Sequence, residues 1–119
     1  MTGVNMKKID KPWGHEKIWA ETKKYAAKFL NINPGHRLSL QYHEKKEETI
    51  FVLSGTLLIW ECESDNKYLV LGPGTAYHVE PKKIHRFGSP AEQIEPTVLI
   101  EVSTNDLDDV VRLADDYER

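Results

Sequence analysis

The sequence predicts an all-β fold closed into a small barrel. Three observations carry that prediction. The middle of the chain is a series of short runs rich in Val, Ile, Leu, Thr and Tyr, each stopped by Gly, Pro, Asn or Ser. In Arg37 to His43, Ser39, Gln41 and His43 fall on one strand face, and Leu40 and Tyr42 on the other. At 119 residues the chain supports one domain around one core.

The elements follow in order. Tyr25 to Ile32 reads as a strand that stops at Asn33-Pro34-Gly35. Arg37 to His43 is a second, Thr49 to Leu53 a third and Thr56 to Glu61 a fourth. Tyr68 to Leu71 ends in Gly72-Pro73-Gly74, a turn without the Lys-Ser/Thr of a phosphate loop. Ala76 to Glu80, Ile84 to Phe87 and Thr97 to Val102 complete a barrel core over residues 25–103. Before it stands an N-terminal arm, 1–24. Its Trp13 and Trp19 are too costly to leave in water, so they are expected to pack on the barrel or on a second subunit. A homodimer is the expected assembly. After the core, segment 104–119 has apolar residues at 107, 110, 111, 113 and 114. That spacing predicts a short C-terminal helix capped by Thr104 or Asp106, with an extended tail as the alternative.

Composition narrows the function classes. Hydrophobic content of 39% with 29% charged residues suits a soluble globular domain. A net charge of −3 argues against a nucleic-acid backbone partner, and the Lys7-Lys8, Lys23-Lys24 and Lys82-Lys83 pairs read as solvated surface. No apolar run reaches the ~18–20 residues of a membrane span. Met1 to Asp10 lacks the apolar stretch of a signal peptide. Cys62 is the single cysteine, between Glu61 and Glu63, so no intrachain disulfide forms, and a cytoplasmic location is expected.

His43, Glu48 and His85 are the residues with chemistry to offer. They lie at the ends of predicted neighbouring strands. Two imidazoles and a carboxylate brought together make a divalent-metal site. Taken singly, a strand histidine is more often only hydrogen-bonded.

Their spacing resembles the two motifs of the cupin superfamily. Gly35, His43, Glu48 and Gly55 fall into the first motif, and Gly74 and His85 into the second. Glu80 and Lys82 stand where the second motif usually has Pro and Gly. Nearly the whole chain is similar to the C-terminal cupin domain of type II mannose-6-phosphate isomerase/mannose-1-phosphate guanylyltransferase proteins. The similarity runs through Lys11-Pro12-Trp13-Gly14, Arg37 to His43, Ser54-Gly55-Thr56, His85-Arg86, Ile100-Glu101-Val102 and Asp108 to Arg112. It implies a double-stranded β-helix, or jelly-roll, barrel of six to eight antiparallel strands. Because it is to the cupin domain, guanylyltransferase activity is not implied.

The resemblance also implies a divalent metal, zinc first, with manganese, iron or nickel as alternatives. Lys45 stands where the motif's second His falls, and a protonated lysine has no lone pair to give. Three readings of that departure are open. Gln41 takes the place, as in the Gln-x-His, Glu, His zinc set of type I isomerases; this one is preferred. Alternatively Lys45 loses its proton and acts in proton transfer, or the site has lost its metal and only binds sugar. The implied reaction is aldose–ketose isomerisation of a sugar phosphate such as mannose 6-phosphate. Gln41, His43, Glu48 and His85 would hold the metal. Arg37, Ser39 and Arg86 would grip the substrate, the arginines through their planar forks. Lys45 or Glu101, an acid among apolar strand residues, would move the proton. A non-catalytic sugar-binding cupin, or another metal-dependent cupin enzyme such as an epimerase or dioxygenase, is the alternative.

Overall fold

Period-two alternation builds eleven strands across residues 6–117, the part of the chain that this computed structural model describes. Residues 1–5 and 118–119, the outermost parts of the predicted arm and C-terminal segment, lie outside the described residues. The strands are β1 (Lys7–Lys11), β2 (Gly14–Glu21), β3 (Tyr25–Ile32), β4 (Leu40–Tyr42), β5 (Glu48–Ser54) and β6 (Leu57–Trp60). Then come β7 (Leu69–Leu71), β8 (Ala76–Val79), β9 (Arg86–Gly88), β10 (Thr97–Thr104) and β11 (Val111–Ala114).

One sheet has six strands in the order β1-β2-β3-β10-β5-β8. Opposite it lie β7-β6-β9 and the pair β11-β4. Isolated bridges from Arg37 to Gly88 and from Gln41 to His85 join those two groups. Every pairing is antiparallel.

The core fills the space between the sheets. Leu30 and Ile32 of β3, Ile50 and Val52 of β5, Leu57 and Ile59 of β6, and Leu99 of β10 are buried there. Burial of each such side chain is worth about 1.5–3 kcal/mol. Gly55 turns the chain from β5 into β6 with a φ of +78°, and a Cβ there would stand 3.1 Å from the Thr97 Cα and 2.8 Å from the Gln93 Nε2. Only glycine meets both conditions without strain.

Two expectations need correction. The C-terminal helix is not formed, and among the described residues there is no helix. Residues 111–114 instead form β11, with Val111 opposite Tyr42 and Arg112 opposite Gln41. A short helix would gain little on its own in water, whereas β4 offers an edge with backbone groups to satisfy. The predicted strand from Arg37 to His43 narrows to β4; before it, Leu38 N–H bonds Phe87 C=O across the bridge region. The two tryptophans part company. Trp13 is buried in the core, whereas Trp19 of β2 is 47% exposed on the outer face of the large sheet.

Candidate metal centre

The strands converge on His43, Glu48 and His85, all buried, with one ligating atom from each lying within 4.8 Å of the others. Glu48 opens β5. His43 ends the β4 segment, and His85 is joined to that segment by its bridge to Gln41. A further tie comes from Lys82, whose N–H bonds the His43 carbonyl at 2.6 Å. Lys82 adopts a φ of 70°, the left-handed conformation that favours the glycine its motif usually carries.

Hydrogen bonds fix both imidazoles. Nδ1 of His43 donates to the Asp109 carbonyl at 2.5 Å, and Nδ1 of His85 donates to the Lys83 carbonyl at 2.8 Å. A carbonyl only accepts, so each Nδ1 carries the proton and each Nε2 of the neutral ring keeps its lone pair. Both Nε2 atoms are buried without a hydrogen-bond partner. They face Glu48 Oε1, at 3.9 Å from His43 and 3.3 Å from His85. Three lone-pair atoms gathered within 4.8 Å of one another inside a protein repel unless a cation or a proton lies among them. The donor set of two nitrogens and one oxygen fits a divalent ion of the zinc, manganese or iron type. The carbonyl contacts of the two Nδ1 atoms are the outer support that orients metal-binding histidines.

Electrostatics favour the same state. Burial holds His43 below its ordinary pKa, despite the opposing pull of Glu48 and the Asp109 carbonyl. The ring is therefore neutral, as a ligand must be. Burial alone would raise Glu48, but His85, Lys46 and His43 in their charged forms hold it far below the usual carboxylate range, and with neutral rings the Lys46 ammonium carries that pull. Asp109 organises the approach: its carboxylate accepts the N–H groups of Glu44, Lys45 and Lys46 and so bends the loop between His43 and Glu48.

Beside the triad lies a cavity of about 110 Å³. Gln41, Ser39, His43, Glu48 and Glu101 all line it. Ser39 Oγ donates to Gln41 Oε1 at 2.6 Å, which steers the amide but leaves the oxygen a second lone pair. Glu101 is buried on β10. Burial, reinforced by the Glu48 charge, pushes it up to about 7.

The remaining predicted residues are placed elsewhere. Lys45 is exposed and does not line the cavity, because Asp109 turns the loop so that Lys46 enters instead. Lys46 bridges Glu48 at 3.0 Å and Glu101 at 3.2 Å. Burial pulls its pKa down, but Glu101 and Glu48 more than offset this and keep it charged. Neither Arg37 nor Arg86 reaches the cavity lining. The Arg37 guanidinium grips Asp116 in a fork at 2.6 and 3.0 Å and reaches Asp65 at 3.0 Å. Arg86 is buried and donates to the carbonyls of Leu38 and Ala114. These arginines knit β9, the β4 segment and the C-terminal segment together.

Sequence reasoning overlooked Lys46, and with it Lys28 and Glu16. Lys28 of β3 sits 3.1 Å from Glu16 of β2 and 3.8 Å from Glu101. For Lys28 the signal was parity: it lies two residues before Leu30 on the inward side of β3. Lys46 lies in the loop before β5, where strand alternation gives no such signal.

The two-sheet antiparallel barrel and its inward His, Glu and His define a cupin. Solved structures agree on the fold. KdgF from Halomonas sp. superposes with a TM-score of 0.68 at 21% identity, covering 82% of this chain and 86% of that one. A cupin-like protein from Thermotoga maritima gives a TM-score of 0.73 at 19% identity, covering 87% and 78%. Within the cupins, the chain belongs to the mannose-6-phosphate isomerase C-terminal family, whose description matches residues 3–115. The alginate biosynthesis protein AlgA of Pseudomonas aeruginosa is 30% identical over 114 residues, 93% of this chain and 23% of AlgA. The xanthan biosynthesis protein XanB of Xanthomonas campestris is 30% identical over 116 residues, 95% of this chain and 24% of XanB. The chain thus spans about a quarter of the length of these curated relatives. No helix among the described residues is long and apolar enough to cross a membrane.

Proposed function

We propose that this cupin is a metal-dependent aldose–ketose isomerase acting on a sugar phosphate, with mannose 6-phosphate as the reference substrate. The observation that carries the metal half is the pair of buried, unpartnered Nε2 atoms facing Glu48. Family membership supports the substrate half. Gln41 supplies the fourth ligand. A bound divalent ion would supply Lewis acidity toward a sugar carbonyl oxygen.

The chain's own residues supply the rest. Isomerisation moves a proton between neighbouring carbons, which needs a base near neutrality. Glu101, raised to about 7 and lining the cavity, has that property. Lys46 stays charged between Glu48 and Glu101 and steadies both carboxylates. Trp13, Leu30 and Phe87 form an apolar part of the cavity wall, which limits water around the reacting carbons. A cytoplasmic location belongs to this reading, given the single, exposed Cys62 thiol.

The test is a coupled assay for fructose 6-phosphate formed from mannose 6-phosphate by protein loaded with zinc, manganese, iron or nickel in turn. Turnover that disappears on chelation is expected. Metal-loaded protein that never turns over would sink the reading.

A further inference from the structure

Within the isomerase reading, the cations that line the cavity are not equivalent. Four cations line it, Lys11, Lys28, Lys46 and Arg112, against the three carboxylates Glu16, Glu48 and Glu101. That leaves one positive charge in excess, in a chain whose net charge is −3. Lys46 and Lys28 are spent on buried acids at 3.0–3.8 Å. Lys11 has only Glu16, at 4.0 Å, among the described residues, and its side chain is 30% exposed. Arg112 is exposed and makes no side-chain hydrogen bond or ion pair among the described residues. Strand β11 sets it opposite Gln41, two residues from His43.

We propose that Lys11 and Arg112 form an anion subsite at the mouth of the cavity that takes the phosphate of the sugar phosphate. The metal triad then faces the other end of the same ligand. An anion there meets Arg112, which has no ion pair to leave among the described residues, and Lys11, whose one ion pair is long at 4.0 Å; the Arg112 fork can give it two parallel hydrogen bonds. Arg37 is excluded by the same reasoning, since its donors already hold Asp116 and Asp65.

Calorimetric titration with mannose 6-phosphate and with mannose tests this without requiring turnover. The metal-loaded protein is compared with Arg112→Gln, Lys11→Gln, their combination and Arg37→Gln. The phosphorylated sugar is expected to bind at least roughly tenfold more tightly than mannose, as charge-assisted hydrogen bonds imply. The double variant should erase that preference while leaving mannose affinity unchanged. Arg37→Gln should keep it. A preference that survives the double variant, a preference lost in Arg37→Gln, or a parent protein with no preference each overturns the subsite. The subsite can fail while isomerase turnover persists, and turnover can fail while the preference persists, so the two claims separate.

Discussion

The two ends of the barrel interior are built on the same strands and hold opposite chemistry. On β3, Leu30 and Ile32 face the apolar end and Lys28 the charged end. On β5, Ile50 and Val52 stand against Glu48; on β10, Leu99 stands against Glu101. One step of two residues converts hydrocarbon into buried charge. The charges alternate in space, Glu16, Lys28, Glu101, Lys46, Glu48, each within 3.8 Å of the next. Burial of ions is costly, and such a ladder adds little net stability over a hydrophobic one. The difference teaches that the apolar end holds the barrel together, while the charged end is kept for what it binds.

The sharpest way to break that contrast is to remove the middle cation. Lys46→Met should destabilise the protein by about 3–5 kcal/mol in urea unfolding, because Glu48 and Glu101 lose their shared counter-ion. Lys46→Met combined with Glu101→Gln should recover part of the loss. The mirror experiment is at the apolar end. Leu99→Ala should cost about 2–5 kcal/mol through a cavity, yet metal stoichiometry by plasma emission should equal the parent's. Reduced metal binding there would show that the two ends are not separable.

A smaller effect concerns acid. The N–H groups of Lys45 and Glu44 hold the Asp109 carboxyl below its ordinary pKa. A depressed folded pKa stabilises the fold above the unfolded value, and that contribution is lost as pH falls through the folded one. From about pH 4 downward, the melting temperature should therefore fall more steeply in the parent than in Asp109→Asn. Parallel curves would remove Asp109 as the organiser of the His43 loop. The smallest expected effect is a gain. Lys82→Gly relieves the left-handed strain and should stabilise by up to about 1 kcal/mol, measured from the shift in the urea midpoint.

Much of this was legible in the sequence, for physical reasons. Tyr25–Ile32 was read to the residue because its turn, Asn33-Pro34-Gly35, stops a strand unambiguously. His43, Glu48 and His85 stood out as candidates because ligand residue types at motif spacing are rare, and the structure brings their ligating atoms within 4.8 Å of one another. For Lys45 a motif position carried no pointing direction, because Asp109, more than sixty residues away, decides which lysine enters. Arg37 misled because its partners Asp65 and Asp116 are distant in the chain. The C-terminal strand was read only as the alternative, an extended tail, because the local spacing is helical and its partner β4 is non-local.

The central claim is that His43, Glu48 and His85 hold a divalent metal. Equilibrium dialysis of the purified protein against micromolar zinc, followed by metal analysis, tests it most directly. The account predicts about one ion per chain, and a drop in affinity of at least roughly a hundredfold in His85→Ala and in Glu48→Gln, with both variants still folded by circular dichroism. A parent protein that retains no metal, or a His85→Ala variant that retains as much as the parent, would contradict it.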